Sequence, residues 1–254
     1  MTRLPISATI VARNEERKIK RCLSSIAPSV SEIIFVHDGK CEDTTLEIAR
    51  NYTDKIFIRD YVGEAEPHRK FAISRARHNW ILQIDADEFL TKPMARIIPR
   101  LIKDKNISGY SFRWNVSYTD EKPRYNNKLA LYQKGSIRLF HGIPHEVVSL
   151  DGRIKVLNSI ELGHNRTRSR EKTTHNTRQW PIIHGKYLEE YKFRRFPALL
   201  LPLGYIFYPL TGTAVSLLRG TISLKESSGC FDYHLRLWHS FSLHRLKRIK
   251  GKNQ

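Results

Sequence analysis

Cysteine is scarce in this 254-residue sequence, and its placement excludes several kinds of site. Cys22, Cys41 and Cys230 are too scattered for a CxxC metal site or a disulfide framework, which favours a reducing compartment. The start also lacks a secretion signal, because the apolar stretch Ile6–Ala12 is too short for one. We therefore expect a cytoplasmic protein without a zinc or redox centre.

Acidic residues are outnumbered: 25 Asp and Glu stand against 44 Lys and Arg, so the formal charge is +19. Such a charge predicts an anionic partner, which is nucleic acid, a phosphorylated substrate or a lipid surface. The sequence lacks an RNP aromatic motif, zinc-ligand spacing and a clear helix-turn-helix, and these absences argue against a nucleic-acid-binding protein. Phosphorylated substrates and lipid are the favoured partners.

Short apolar runs alternate with helical patterns through the first hundred residues, and no internal repeat or low-complexity linker interrupts them. Strands are predicted at Pro5–Ala12, Glu32–Val36, Lys55–Arg59 and Trp80–Ile84. The signals for helix starts are Asn14, Thr44 with Glu47 as a capping box, Pro67, and Thr91 with Pro93. This alternation predicts an α/β fold with a mostly parallel sheet.

The second half of the strand-forming region has a different pattern, because apolar and polar residues alternate along it. Strands are predicted around Tyr110–Val116, Ser136–Phe140 and Glu146–Leu150, and Asp151-Gly152 is typical of a hairpin turn. We expect this half of the sheet to be antiparallel. From about His164 onward the chain is basic and aromatic, and its pattern indicates helices.

The most informative motif is Asp85-Ala86-Asp87-Glu88, which directly follows the predicted strand Trp80–Ile84. Its carboxylates are therefore expected at a strand's carboxyl end, where open α/β sheets bind ligands. Two oxygen ligands there suit a divalent cation that neutralises a diphosphate. Acidic residues also flank strands for structural reasons, so the motif alone is weak evidence for a metal site and neighbouring motifs must support it.

Three blocks occur in the order and spacing of a known family: Ala8–Glu16, Val36–Gly39 continuing to Thr45, and Gln83–Glu88. Together they resemble the family 2 glycosyltransferases of the GT-A fold, particularly the branch similar to lipopolysaccharide core transferases. The resemblance covers about residues 5–165. The sequence departs from the family at His37, where many members carry an acidic residue, so the resemblance does not imply a uracil-containing donor.

The resemblance implies inverting, metal-dependent transfer of a sugar from a nucleotide-diphosphate sugar to a hydroxyl of a glycan or lipid-linked acceptor in cell-envelope or glycoconjugate synthesis. It implies a Rossmann-like catalytic domain at residues 1–165, divided into a donor half (1–108) and an acceptor half (109–165). Residues 166–254 are expected to form a basic, helical extension.

The expected cofactor is Mg²⁺ or Mn²⁺, since oxygen ligands suit both ions. The resemblance implies Asp87 as a metal ligand and places Asp85 between ribose and metal. His164 is a further candidate for contact with the metal or the diphosphate, and a plain surface histidine is the alternative.

Donor-binding residues are expected at the ends of the first two strands and on the helix before the motif. The candidates are Ala12, Arg13, Asn14, Glu15, His37, Asp38, Arg69, Lys70 and Asp85. Asn14 and Glu15 are equally typical of a helix cap, and Asp38 of a turn. Arg69 or Lys70 would offset diphosphate charge. A cation at the amino end of a helix is unfavourable with the helix dipole, so its presence there suggests an anionic ligand.

Inversion by direct displacement requires a general base for the acceptor hydroxyl. The resemblance points to Glu146 or His145, which follow Pro144, with Glu88 in reserve. A nucleotidyltransferase on a similar fold would also use paired acids and a metal. Such an enzyme usually has a Gly-rich phosphate loop after its first strand, where this sequence has Ala12–Glu15.

Pro197–Leu218 is an uncharged stretch between two basic clusters. The clusters consist of Arg166, Arg168, Arg170, Lys172, Arg178, Lys186, Lys192, Arg194 and Arg195, and of Arg245, Lys247, Arg248, Lys250 and Lys252. Anionic lipid attracts such cations by about 1 kcal/mol each, so we expect peripheral attachment to the inner face of the cell membrane. Pro197, Pro202 and Pro209 are expected to break any long helix. A dimer interface, a cover over the catalytic domain and solvated basic faces are the alternatives.

Overall fold

A computed structural model describes residues 3–117, 122–141, 147–165, 181, 185–186, 188–189, 200–218 and 227–250. The chain divides into two compact units, residues 1–170 and residues 171–254. The general-base candidates His145 and Glu146 lie outside the described residues, as does most of the first basic cluster.

The first unit combines strands and helices. Its strands are β1 (Leu4–Ala12), β2 (Val30–Asp38), β3 (Ile56–Arg59), β4 (Trp80–Gln83), β5 (Glu88–Leu90), β6 (Ile107–Asn115), β7 (Tyr125–Gln133), β8 (Ile137–His141), β9 (Val147–Leu150) and β10 (Arg153–His164). Its helices are α1 (Glu16–Ile26), α2 (Thr45–Arg50), α3 (Glu66–Arg75) and α4 (Lys92–Leu101). A short 3₁₀ turn, Lys134–Ser136, joins β7 to β8.

One sheet contains eight of these strands in the order β3-β2-β1-β4-β7-β6-β10-β5, and β8 pairs with β9 in a separate ribbon. The strands β3, β2, β1 and β4 are parallel, and β7 is antiparallel to both β4 and β6. The predicted class, a mostly parallel sheet with an antiparallel second half, is confirmed. One detail differs, because β6 and β10 run parallel within that half.

Both faces of the parallel strands are covered by helices. On β2, Ile33 and Phe35 belong to the core that α1, α2 and α4 cover, whereas Ile34 and Val36 face the core beneath α3. A strand that is covered on both faces must be apolar at consecutive positions, which explains its unbroken apolar run.

Two predicted helix caps are wrong. Asn14 does not cap α1; its φ is +50°, and its side chain pairs with Glu42, whose backbone amide donates to Asn14 Oδ1 over 3.0 Å. Thr44 precedes α2, but its hydroxyl donates to Glu16 over 2.9 Å and does not form a capping box with Glu47. Both side chains tie two loops together at the carboxyl edge of the sheet, and this tertiary contact replaces the local cap.

The predicted hairpin at Asp151-Gly152 is also different in the structure. A turn is present and Gly152 has φ +91°, but it connects β9 to β10, which belong to different sheets. The strand β7, which the sequence pattern does not reveal, lies between β4 and β6 and joins the two halves of the main sheet.

The second unit contains two long helices among its described residues, α5 (Leu201–Leu218) and α6 (Ser227–Lys250). Pro202 and Pro209 do not break α5, contrary to the prediction. Pro202 lies in the first turn, where the missing amide has no helical partner, and Pro209 removes a single interior hydrogen bond. In the described part of the chain, no helix is both long and apolar enough to cross a membrane.

Packing of α5 against α6 explains why the helix tolerates Pro209. A Cβ on Gly204 would lie 1.9 Å from the Trp238 ring, so the glycine allows the two helices to approach closely. The Trp238 indole N–H also donates to the Leu201 carbonyl over 3.0 Å. Tertiary contacts therefore stabilise this helix against the local preference of proline.

A glycine and an aromatic ring fix β5 against β10. Gly163 pairs with Phe89, and a Cβ on Gly163 would lie 2.3 Å from the Phe89 ring. The guanidinium of Arg21 lies 3.6 Å from the centroid of the same ring. Because β5 directly follows Asp87 and His164 directly follows Gly163, this stack sets the distance between those two side chains.

We predict that Gly163→Ala destabilises the first unit by about 1–3 kcal/mol, because the added methyl group displaces the Phe89 ring. Urea unfolding followed by circular dichroism measures the change. Gly135→Ala is the matched control, since its Cβ would only touch Asn79 Oδ1 at 3.4 Å. Equal stability of the Gly163→Ala protein and the wild type would contradict the proposed stack.

Candidate active site

A cleft of about 460 Å³ opens at the carboxyl ends of β1, β2 and β4, where open parallel sheets bind ligands. The lining residues are Val11, Ala12, Arg13, Glu15, Asp38, Tyr61, Gly63, Glu64, Ala65, Glu66, Arg69, Asp85, Ala86 and Asp87. The structure therefore brings most of the predicted donor-site residues into one wall. Asn14, His37, Lys70, Glu88 and His164 are not among the lining residues.

Asp85 is held by two cations from separate elements. Its Oδ1 accepts from Arg69 Nη2 of α3 over 2.8 Å, and its Oδ2 accepts from Lys128 Nζ of β7 over 2.7 Å. Burial would raise the pKa of this carboxyl, but the guanidinium and the ammonium together hold it well below its usual value. Asp85 is therefore ionised, and both of its oxygens are occupied.

Glu88 belongs to the same network. Its Oε1 accepts from Lys128 Nζ over 2.6 Å, its Oε2 accepts from the backbone amide of Asp85 over 2.8 Å, and its side chain is fully buried. Burial raises its pKa, and Lys128 opposes that rise. These contacts give Glu88 a structural role, which differs from the general-base role held in reserve for it.

Asp87 faces a histidine at the end of β10, a strand in the other half of the sheet. His164 Nε2 lies 3.5 Å from Asp87 Oδ2, and His164 Nδ1 lies 2.8 Å from the carbonyl oxygen of Asn115. If Nδ1 donates to that carbonyl, Nε2 faces Asp87 with an N–H donor in the protonated ring and with a lone pair in the neutral ring. Burial would raise the Asp87 pKa, but the hydrogen bond from the protonated His164 ring keeps it below its usual value. Burial would lower the pKa of His164, but Asp87 and the Asn115 carbonyl raise it.

At the carboxyl end of β2, the polar side-chain atoms of His37 and Asp38 contact other parts of the protein. Asp38 accepts from the Val62 amide (2.7 Å) and the His68 ring (2.8 Å) on Oδ1, and from the Gly63 amide (2.9 Å) on Oδ2. His37 is fully buried, with Nδ1 2.8 Å from the Gly39 carbonyl oxygen. Both predicted donor-site residues therefore hold the loops that surround the cleft.

The end of β1 contributes backbone and one exposed cation. The Arg13 guanidinium lies 3.9 Å from the centroid of the Tyr61 ring, which is 46% exposed, so the two planes form one wall of the cleft. Glu15 forms an ion pair with Lys18 over 2.9 Å, and its amide donates to Thr45. Ala12 is buried and lines the cleft through its backbone and methyl group.

The two cations predicted on α3 have different positions. Arg69 points into the cleft, whereas Lys70 is exposed and its Nζ lies 5.2 Å from the centroid of the Phe140 ring on β8. Of the two, Arg69 is therefore the cation that lines the cleft.

Three site residues were missed from the sequence. Lys128 lies on β7, a strand that the pattern does not reveal. Glu64 lies in the loop before α3 and Glu66 is the first residue of α3, and neither belongs to a recognised motif. The two glutamates are buried and line the cleft beside Arg69. The run Gly63-Glu64-Ala65-Glu66-Pro67 before a helix is the only sequence signal for them.

The side chains around the cleft offer at most a partial metal site. Within the described ranges, no three His, Cys, Asp or Glu side chains converge on one point as a ready-made metal site. Asp87 and His164 could supply two ligands, and the Asn115 carbonyl orients the histidine as hydrogen-bond partners orient metal-bound histidines. Mg²⁺ is commonly bound by one or two protein ligands together with substrate phosphates, so this set fits a metal-diphosphate complex.

A family model described as glycosyl transferase family 2 matches residues 7–160, which include every residue that lines the cleft. A Rickettsia felis protein named "Uncharacterized glycosyltransferase" is 32% identical over 137 residues, 51% of this chain and 48% of the relative. The Rhizobium meliloti lipopolysaccharide core biosynthesis glycosyltransferase LpsC is 27% identical over 150 residues, 54% of this chain and 53% of the relative. The chain spans about half the length of the curated relatives it matches.

Among solved structures, S. aureus TarS in complex with UDP has a TM-score of 0.53 at 14% identity, over 98% of this chain and 92% of that chain. TarS in complex with UDP-GlcNAc has a TM-score of 0.51. At this identity the likeness shows the fold alone, and it confirms the predicted GT-A fold class.

We predict that Lys128→Met destabilises the first unit by about 3 kcal/mol near neutral pH, because the buried Glu88 and the partly exposed Asp85 lose their shared cation. The unfolded chain ionises both carboxyls freely above about pH 4.5, whereas the folded variant must bury charge or retain a proton. The loss should therefore be larger at pH 8 than at pH 5.

Denaturant unfolding at both pH values measures this effect. Lys155→Met, at an exposed position on β10, is the matched control and should change stability little. A loss that is equal at the two pH values would argue against an electrostatic role for Lys128.

Proposed function

Because the chain belongs to glycosyl transferase family 2, we propose that it transfers a sugar from a nucleotide-diphosphate donor to a hydroxyl of a glycan or lipid-linked acceptor. The observation that carries this proposal is the cleft at the carboxyl ends of β1, β2 and β4, with Arg69, Asp85 and Asp87 in its wall. The family match argues against the two rival functions, a nucleotidyltransferase and a nucleic-acid-binding protein.

The donor's diphosphate needs positive charge, and Arg69 supplies it at the cleft surface. Asp85 holds the guanidinium in place, since their 2.8 Å contact is partly shielded from solvent and Lys128 balances the second oxygen. A guanidinium that is already oriented loses little conformational entropy when it binds a phosphate. In this proposal Asp85 positions Arg69 and is not itself the main metal ligand.

Asp87 and His164 would hold Mg²⁺ or Mn²⁺ beside the diphosphate. When bound, the cation would stabilise the developing negative charge on the leaving nucleotide as a Lewis acid. The 3.5 Å separation between Asp87 Oδ2 and His164 Nε2 supports this assignment, as does the Asn115 carbonyl that fixes the ring.

The proposed reaction inverts the anomeric configuration, so the acceptor hydroxyl must lose a proton to a base on the opposite face of the sugar. Glu146 and His145 stay the predicted bases, and they lie outside the residues that the structure describes. Glu88 is less suited because Lys128 and the Asp85 amide occupy its two oxygens.

We predict that Asp87→Asn and His164→Ala each weaken Mn²⁺ binding at least about tenfold in the presence of UDP, as loss of a ligand or of its orientation does elsewhere. Asp85→Asn should retain more of the Mn²⁺ affinity and weaken nucleotide binding through Arg69. Electron paramagnetic resonance of free Mn²⁺ measures the first effect, and calorimetry with UDP measures the second. Asp54→Asn, at an exposed position, is the control. Unchanged Mn²⁺ affinity in both ligand variants would refute the metal site.

The second unit is proposed to bind an anionic membrane surface. Among the α5 side chains that the structure describes, all the exposed ones are apolar: Pro202, Leu203, Ile206, Phe207, Leu210 and Ala214. Ile206 and Phe207 are 58% and 60% exposed, which is unusual for side chains of this size on a soluble surface. The charged residues at the end of α6 are basic, so electrostatic attraction and apolar burial would act together.

We predict that Ile206→Glu combined with Phe207→Glu lowers binding to phosphatidylglycerol vesicles at least about tenfold, because the charges oppose burial in lipid. Co-sedimentation at low and high salt is the measurement. Ile58→Glu is the matched control, because Ile58 is also 58% exposed but lies on β3 of the first unit. If the wild type fails to sediment at either salt concentration, the membrane proposal is wrong and a protein interface becomes the favoured alternative.

A further inference from the structure

Trp114 lies on β6, the strand between those that carry Lys128 and His164. It pairs directly with Asn126 of β7 on one side and with Leu162 of β10 on the other. Lys128 and His164 are each two residues further along their strands, and side chains two residues apart point to the same face of a sheet. The indole, the ammonium and the imidazole therefore meet on one face.

The indole ring contacts both a partner of Asp85 and the partner of Asp87. Lys128 Nζ lies 5.4 Å from the centroid of the Trp114 ring, within the range of a cation–π contact. The centroids of the Trp114 and His164 rings are 5.1 Å apart, with 33° between their planes. One ring therefore connects the two ion pairs that the aspartates of the acidic motif make.

The two neighbours of the indole are held differently. Lys128 Nζ is bound by two carboxylates, at 2.7 and 2.6 Å, so its position is fixed without the indole. The His164 ring has its shorter contact at Nδ1, 2.8 Å from the Asn115 carbonyl oxygen, and its Nε2 lies 3.5 Å from Asp87. A hydrogen bond at one nitrogen leaves the ring free to tilt, so the plane of the imidazole depends on the ring stacked against it.

The indole N–H of Trp114 takes no part in this arrangement. It is buried, and it has no hydrogen-bond partner among the residues that the structure describes. A buried indole usually finds a partner, as that of Trp80 does at the Ile102 carbonyl. What Trp114 supplies is therefore the face of its ring.

We propose that Trp114 is a positioning residue for metal binding. Its ring packs against the anchored Lys128 and holds the imidazole of His164 with Nε2 towards Asp87. This inference rests on the proposed function, because it takes Asp87 and His164 as the pair that holds Mg²⁺ or Mn²⁺. It extends that function to a side chain that has no atom able to bind the metal.

Removal of the ring should separate two kinds of binding. In Trp114→Leu the imidazole can tilt, so its Nε2 turns away from the Asp87 carboxylate and the metal loses one of two protein ligands. The contacts of Asp85 with Arg69 and Lys128 stay, so binding of a nucleotide diphosphate without metal should change little. Trp114→Phe keeps an aromatic face and lacks only the unused N–H, so it should retain most of the metal affinity.

The test is Mn²⁺ binding to the full chain, measured by electron paramagnetic resonance of the free ion in the presence of UDP, GDP, ADP or CDP. Each nucleotide without protein gives the baseline. With the nucleotide that gives the tightest binding, we expect Trp114→Leu to weaken Mn²⁺ binding about 10–100-fold, as loss of a group that orients a metal-bound histidine does. Calorimetry with the same nucleotide in EDTA should give similar affinities for this variant and the wild type.

Trp80→Leu is the matched control. Trp80 is a buried tryptophan of the same unit that stacks on Tyr110 at 6.0 Å, and it begins β4 at the end away from the cleft. Its loss should lower stability and leave Mn²⁺ affinity unchanged. Unchanged affinity in Trp114→Leu, an equal loss in Trp80→Leu, or a Trp114→Phe protein as weak as Trp114→Leu would each overturn the inference. If no nucleotide supports Mn²⁺ binding by the wild type above the baseline, the proposed metal site is wrong, and the inference with it.

A second measurement does not need a folded leucine variant. The ring current of an indole at 5.1 Å displaces the NMR signals of the His164 ring protons, which are identified by their absence in His164→Ala. We expect a smaller displacement in Trp114→Phe, because a phenyl ring has a weaker ring current, and we expect the wild-type displacement to persist when nucleotide and Mg²⁺ are bound. Identical His164 signals in the wild type and Trp114→Phe would show that the two rings do not stack and would overturn the inference.

Discussion

The carboxylate of Asp85 joins three separate parts of the first unit. It follows β4, it binds Arg69 of α3 on one oxygen, and it binds Lys128 of β7 on the other. Without this bridge, and among the residues that the structure describes, the Arg69 guanidinium would keep only its 3.6 Å ion pair with Glu66, and the Lys128 ammonium would keep only its ion pair with Glu88. The position of the helix that carries Arg69 and the course of the loop that carries Asp87 both depend on it.

The two aspartates of the acidic motif have different partners. Asp85 points inward and contacts two of the protein's own cations, whereas Asp87 contacts a histidine, His164, on the last strand of the sheet. The glutamate that completes the motif is fully buried and belongs with the first of these.

The sequence predicts the parallel half of the fold well because its signals are local. Consecutive apolar residues indicate strands that are covered on both faces, as β2 shows. Apolar residues at helical spacing between these runs indicate the helices. It also places Asp85, Asp87 and Arg69 correctly in one cleft, since carboxyl ends of parallel strands share one edge.

Other features depend on contacts that are distant in sequence and could not be predicted from it. Asn14 and Thr44 look like helix caps, but each reaches a partner on another loop. The sequence does not distinguish Lys128 from the other lysines, because its contact with the site depends on the pairing of β7 with β4. His37 and Asp38 match a ligand-binding block in the sequence, yet in the structure their polar atoms are used by the protein itself.

The hydrogen bonds from the loop before α3 to Asp38 bear on which positions around the cleft can vary. Its carboxylate holds the backbone amides of Val62 and Gly63, so the course of that turn is set by the main chain and by one residue of the sheet. The side chains of Tyr61 and Glu64 line the cleft from this loop, and that of Glu66 lines it from the start of α3. Because the backbone amides of the loop are held from β2, these side chains can be substituted while the strands beneath keep their register.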